Sequence, residues 1–245
     1  MMKLTVIGYW GAYPEAGEAT SGYLIEEDDY RILVDCGSGV LSRLQQYLPL
    51  MKLDAVVLSH YHADHIADLR SLQYATMIQS QLDNRSTVLP VYGHDQDKDA
   101  FQRLTYQDYC QGIPIRHQQT LTIGPFKLRF ISTTHPVYCL AMDISTDNSR
   151  MIYTADTEWN EDLLSFAPGS DLVISEASIY RAQKGKVQGH LTGEEAGQLA
   201  ARLETQSLLL THLPHFGQHE ELVKEAGQHF KGPIDLAYEG KTYIL

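Results

Sequence analysis

The stretch SHYHADHIADL, from Ser59 to Leu69, places three histidines and two aspartates in eleven positions. Imidazole nitrogens and carboxylate oxygens are metal ligands, and a motif this dense reads as half of a metal site. Four apolar runs that look like buried strands each end on a possible ligand. AVVLSH delivers His60, LRFISTTH delivers His135, MIYTAD delivers Asp156 and SLLLTH delivers His212. Strand ends can hold a side chain with the accuracy that coordination demands. His60 and His62 stand at i and i+2, so on extended chain they point the same way. Asp64 and His65 follow where the strand turns into a helix, and can face a second ion. This donor mix suits zinc, with manganese or iron as competitors. Chance surface histidines would explain one such motif more plainly than four matching strand ends. His212 competes with His215 and His219, and is preferred because it ends the apolar run. Cys139 reads as a small core residue, and His94, His117 and His229 as surface or loop histidines.

The elements that must carry these residues are short. KLTVIG, SGYLIEE, YRILVDCG and DAVVLSH read as consecutive strands. A helix is expected from about 65 to 82, then a strand at TVLPVYG and a helix near 96 to 109. QTLTIGPFKLRFISTTHP reads as a hairpin turning at Gly124-Pro125, and YCLAMDIST pairs with SRMIYTADT around the TDNS turn. A short helix, the strand DLVISEAS, a helix from about 193 to 204, SLLLTHLP, a helix near 218 to 230, and IDLAYEGKTYIL complete the chain. No Pro/Gly/Ser linker separates its halves, so one layered α/β domain is expected over residues 1–245.

With 245 residues the chain can bury a substantial core, and no apolar run is long enough to span a bilayer. No membrane association is expected. The start reads as a first strand and not a secretion signal. Three cysteines, Cys36, Cys110 and Cys139, lie far apart without a CxxC, which points to a reducing cytoplasm. A formal net charge of −12 argues against a general nucleic-acid binder, since phosphate contacts need positive surface. Bound divalent ions would still invert the sign locally.

The HxHxDH signature, His60 to His65, resembles that of the metallo-β-lactamase superfamily. His135, the TADT around Asp156 and the THLP around His212 match its remaining motifs in order, and ILVDCGSG precedes the first. The resemblance covers nearly the whole chain. It implies an αββα sandwich, two mixed sheets flanked by helices, with a binuclear metal site at one edge. It assigns His60, His62 and His135 to a first ion, and Asp64, His65 and His212 to a second, with Asp156 bridging. Two Zn2+ ions are the implied cofactors, with Mn2+ or Fe2+ as alternatives.

Two close cations sharing a carboxylate bring a bridging water towards hydroxide at neutral pH, which makes hydrolysis the natural reaction. An aspartate bridge suits a phosphodiester, and antibiotic-cleaving members generally lack it. Asp64 and His190 are the candidate catalytic residues. His190 lies just ahead of a helix whose Thr192 and Glu195 have capping-box spacing. The ribonuclease Z-like branch carries a similar H-S-T segment, which suggests phosphate contact and general-acid work for His190. Arg181, Lys184 and Lys186 could steer a phosphate, or form a solvated loop.

Within that branch, the tRNA enzymes have a long arm between the third histidine motif and the bridging aspartate. Here only twenty residues separate His135 from Asp156. A basic P-x-K-x-R-N loop is replaced by YPEAGEATSG, and a HEAT segment by SEAS, Ser175 to Ser178. The expected substrate is therefore a small phosphodiester or short oligonucleotide, with tRNA disfavoured and a homodimer an open expectation. Acyl hydrolysis of a lactone, thioester or lactam is the alternative. A redox di-iron centre fits less well, because His62 stands where that pattern has glutamate. A non-catalytic metal-binding module is disfavoured by the full ligand set.

Overall fold

The computed structural model describes residues 1–166 and 168–245. Where the sequence shows no linker, the chain nonetheless clusters into two compact units. One is Met2–Arg116 together with Glu239–Ile244; the other is His117–Tyr238 with the two terminal residues.

In the first unit, β1 (Lys3–Gly8), β2 (Gly22–Glu27), β3 (Tyr30–Val34), β4 (Ala55–Val57), β5 (Leu89–His94) and β6 (Cys110–Ile115) follow one another across a mixed sheet. The pairs from β1 to β3 are antiparallel and those from β3 to β6 parallel. Parallel neighbours require crossovers, and these carry α1 (Val40–Leu44), α2 (Ala63–Ile66), α3 (Leu69–Gln81) and α4 (Lys98–Gln102). Val56, Val57 and Leu58 are wholly buried, as expected of a strand covered on both faces. Helix α3 buries Leu69, Leu72, Gln73 and Thr76, one face at helical spacing.

Two expectations change here. The single helix from about 65 to 82 is broken at Ala67-Asp68. Cys36 donates its amide to the His65 carbonyl (2.8 Å) and accepts from the Asp68 amide (3.1 Å), while the Asp68 carboxylate takes the Leu41 amide (3.0 Å). These contacts tie the end of α2 and the start of α3 to the chain between Cys36 and Leu41. The helix near 96 to 109 is only α4, capped by Asp97, whose carboxylate accepts from Ala100 N. The chain then turns through a left-handed Gln107 (φ 47°) into β6. Gly112 and Pro114 disguise β6 in the sequence; as the edge strand of its sheet, it tolerates a proline.

The second unit repeats the scheme. β7 (Thr120–Ile123), β8 (Phe126–Ser132), β9 (Leu140–Ser145) and β10 (Arg150–Tyr153) pair antiparallel. β11 (Leu172–Glu176), β12 (Ser207–Thr211) and β13 (Ile234–Leu236) extend the sheet in parallel from β10. The hairpin turns at Gly124-Pro125 as expected, with Ile123 opposite Phe126. Helices α5 (Glu161–Phe166), α6 (Gly193–Arg202) and α7 (His219–Ala226) make the parallel crossovers. Helices α6 and α7 approach so closely that a Cβ on Gly197 would lie 2.3 Å from the Ala226 carbonyl oxygen. The closing run IDLAYEGKTYIL is not one strand. It splits at a left-handed Gly240 (φ 82°) into β13 and β14 (Thr242–Ile244), and β14 returns to the first sheet antiparallel to β1.

In both sheets the strands that run alike deliver their chemistry at one edge. β3 and β4 lead to Asp35 and His60. β8, β10, β11 and β12 lead to His135, Asp156, Glu176 and His212. Among the described residues no helix is long and apolar enough to cross a membrane.

His94, expected on the surface, is 3% exposed at the end of β5, its ring 4.2 Å from that of Tyr61. Burial pushes its imidazole from 6.5 down to about 4, against a weaker upward pull from Asp97 and Asp95. The folded state thus favours the neutral ring. The stability this gives is complete above pH 6.5 and is lost as pH falls towards 4, by about 3 kcal/mol. The expected outcome for His94→Gln is a flatter fall in urea midpoint between pH 6.5 and 4 than in the wild type. Parallel curves would show that His94 does not drive the acid sensitivity.

Candidate metal centre

In the first unit, His60 and His65 are fully buried and Asp64 is 9% exposed. One buried carboxylate organises them. Asp35 accepts from the Ser59 amide and hydroxyl, both at 2.8 Å, and from His65 Nδ1 at 2.8 Å. With its proton directed to Asp35, Ser59 Oγ is the acceptor for His60 Nδ1 at 3.0 Å. Both imidazoles are thereby set in the Nδ1–H tautomer, with Nε2 as the ligand atom, the usual outer-sphere arrangement around a metal. His62 turns Nδ1 to within 3.1 Å of His60 Nε2. Asp64 Oδ2 accepts the Ala12 amide (2.8 Å) and lies 3.7 Å from His65 Nε2.

The second unit has the same device. Glu176, 1% exposed, accepts from the Thr157 amide (2.6 Å), from Ser178 Oγ (2.5 Å) and from His190 Nδ1 (3.1 Å). Ser178 Oγ in turn accepts from His212 Nδ1 at 2.7 Å. His135 Nδ1 donates to the Gly189 carbonyl (3.0 Å). Asp156 Oδ2 then lies 3.5 Å from His212 Nε2 and 3.9 Å from His135 Nε2. Those separations are too long for good hydrogen bonds. They are close to the roughly 3.4 Å between two ligands of one tetrahedral zinc.

In the first unit the ligand atoms of His60 and His62 lie within 4.8 Å of each other, as do those of Asp64 and His65; in the second, Asp156 lies within 4.8 Å of both His135 and His212. Asp156 is thus shared by the two histidines of its own unit. All seven residues named as ligands from the sequence fall in these groups, four in the first unit and three in the second. Buried imidazoles with fixed tautomers, joined by carboxylates, fit divalent metal.

His190, the remaining candidate, has its ring 5.5 Å from that of His135 and 5.4 Å from that of His212. The capping box is present: Thr192 Oγ1 accepts from Glu195 N, and Glu195 Oε2 from Thr192 N. Of the basic loop, Arg181 pairs with Glu194 (3.3 Å), Lys184 with Glu195 (2.8 Å), and Lys186 Nζ donates to Ala182 O. His215 and His219 stay outside these groups, and His219 Nε2 donates to the Pro214 carbonyl. Cys139 is buried in the core as expected.

Sequence reasoning gave no role to Asp35, Ser59, Glu176 or Ser178. Asp35 stood in the quoted ILVDCGSG, and Glu176 in the SEAS segment read only as a departure. Three strand ends also bend through left-handed non-glycine residues: Asp35 (φ 59°), Ala155 (φ 51°) and His212 (φ 52°). Such conformations cost about 1–3 kcal/mol each and cluster at functional sites.

Fold and donor set together define a metal-dependent hydrolase of the metallo-β-lactamase fold. The chain belongs to the beta-lactamase superfamily, whose domain description matches residues 30–213. It is 49% identical over 239 residues to the probable metallo-hydrolase YhfI of Bacillus subtilis, covering 98% of each chain. The crystal structure of YhfI, a metallo-beta-lactamase fold protein, matches at TM-score 0.97 with 48% identity over 99% of this chain and 98% of that one. A ribonuclease Z of Haloarcula marismortui is 20% identical over 300 residues, 98% of this chain and 95% of its own. A diphosphatase of the PhnP family shares the fold at TM-score 0.78, with 17% identity over 100% and 98% of the two chains.

Asp35→Asn should weaken metal binding roughly 10- to 100-fold, because it loosens two imidazoles at once. Ser59→Ala, which touches only His60 directly, should cost less. Competition with a chromogenic chelator measures both, and equal losses would refute the shared-carboxylate reading.

Proposed function

We propose that this protein is a binuclear zinc phosphodiesterase of ribonuclease Z-like type, acting in the cytoplasm on a small or short phosphodiester. The carrying observation is Asp156, whose carboxylate lies 3.5 Å from His212 Nε2 and 3.9 Å from His135 Nε2, beside a histidine held by a buried glutamate. Two ions bound there would supply a nucleophilic water at neutral pH and neutralise charge on the phosphoryl oxygens. Asp64, held by the Ala12 amide, takes up the proton released by the attacking water. His190 turns Nδ1 to Glu176, so the carboxylate orients the ring. Nε2 then gives its proton to the departing oxygen. The names of the ribonuclease and diphosphatase relatives support chemistry at phosphorus.

Substrate size follows from the chain between His135 and Asp156. It is used almost wholly by β9, β10 and their turn, which leaves no arm to grip a distant part of a long polyanion. The loop at Arg181 to Lys186 does not compensate, because Arg181 and Lys184 are paired to glutamates.

A panel of bis-p-nitrophenyl phosphate, a lactam, a lactone and a thioester, offered to zinc-loaded protein, tests the assignment. The phosphodiester should be hydrolysed with the highest kcat/KM; faster acyl cleavage would overturn it. His190→Ala should leave metal content unchanged and lower turnover by roughly 10²–10⁴-fold on esters of poor leaving groups. The loss should shrink for p-nitrophenyl esters, which need little protonation. An equal loss for both kinds of ester would reduce His190 to a positioning residue.

A further inference from the structure

His190 forms one wall of a recess of about 320 Å³ that is also lined by Trp159, Ile179, Lys184, Val187 and Gln188. A group that protonates a leaving oxygen must touch it, so the departing alcohol lies on the His190 side of the reacting phosphorus. We propose that this recess is the leaving-group subsite, and that it takes a planar, uncharged aromatic group stacked on Trp159. The inference rests on the phosphodiesterase reading and adds to it the identity of the alcohol.

Three observations support that occupant. The indole is braced: its Nε1 donates to Glu161 Oε1 (2.8 Å), and the Arg202 guanidinium lies 5.6 Å from its ring centroid, itself paired to Glu161 (3.3 Å). A platform fixed before the ligand arrives loses little freedom on binding. Ile179 and Val187 add apolar wall. The charged groups at the recess are already engaged within the protein. Lys184 Nζ lies 2.8 Å from Glu195, and Glu158 Oε1 accepts the Gly189 amide at 2.7 Å. A second phosphate on the leaving alcohol would therefore meet no uncommitted cation from this wall, whereas a neutral ring fits. Gln188 supplies a polar edge for a ring heteroatom. Hydrolysis then forms one P–O bond from water and breaks the P–O bond to this alcohol. The alcohol leaves with the proton from His190, and the water's proton passes to Asp64.

Metal-loaded protein titrated with phenylphosphonate, thymidine 3′-monophosphate and methylphosphonate provides the test. It is read both as inhibition of bis-p-nitrophenyl phosphate hydrolysis and as tryptophan emission. At least one ring-bearing probe should bind roughly 10-fold or more tightly than methylphosphonate, as stacking on an aromatic platform does. Phenylphosphonate winning identifies a simple aryl group, and the thymidine probe winning a nucleobase. Trp159→Leu should erase the preference, Trp159→Phe should keep most of it, and the emission change should vanish in both. A preference that survives Trp159→Leu, or emission that does not respond to the ring-bearing probes, overturns the subsite. If emission responds but no phosphodiester is cleaved, the ring site stands and the reaction assignment falls.

Discussion

The site depends on a buried carboxylate that fixes two histidines, one directly and one through a serine hydroxyl. Asp35 does this for His65 and, through Ser59, for His60; Glu176 does it for His190 and, through Ser178, for His212. An imidazole can present either nitrogen, and rotation about its side-chain bonds moves that nitrogen by ångströms. Committing Nδ1 to a charged acceptor removes both freedoms. In surroundings of low dielectric such charge-assisted bonds are strong, and leaving one unmade is costly. Metal affinity is thus prepared in the fold before any ion arrives.

That preparation works against backbone preference. Asp35, Ala155 and His212 take left-handed conformations that residues with a Cβ normally avoid, each just beyond the end of a strand. The strand supplies rigidity and the strained residue supplies the change of direction that extended chain cannot. Parallel strands make the device repeatable, because their ends gather along one edge. The first unit uses it after β3, and the second after β10 and β12. Helix α2 is only four residues long and ends where Cys36 grips its backbone, with His65 held on Asp35 from inside it.

The candidate ligands were legible because coordination restricts residue type, so histidines and aspartates at strand ends stand out from an apolar background. The carboxylate–serine supports were not, since Asp35, Ser59, Glu176 and Ser178 are common polar residues whose importance lies in contacts between distant segments. Strands with β-branched, alternating or continuous apolar character were readable. β6 was hidden by Gly112 and Pro114, which only an edge position permits. The α2–α3 break was hidden because Asp68 suits a helix locally and is drawn out of it by Leu41 and Cys36. His94 misled for a related reason: nothing in its neighbours along the chain announces that β5 ends inside the protein.

The return of β14 to β1 has a consequence for synthesis. The amide and carbonyl groups on the outer side of β1 have their partner strand in residues made at the end of this stretch, long after β1 and β2 have left the ribosome. Until then that strand presents an open hydrogen-bonding edge, the kind of surface through which nascent chains stick to one another. Among the described residues of His117–Tyr238, the strands of the sheet pair only with strands of the same segment. Ribosome-bound chains should therefore acquire protease resistance in that middle segment first, with the earlier-made unit maturing last.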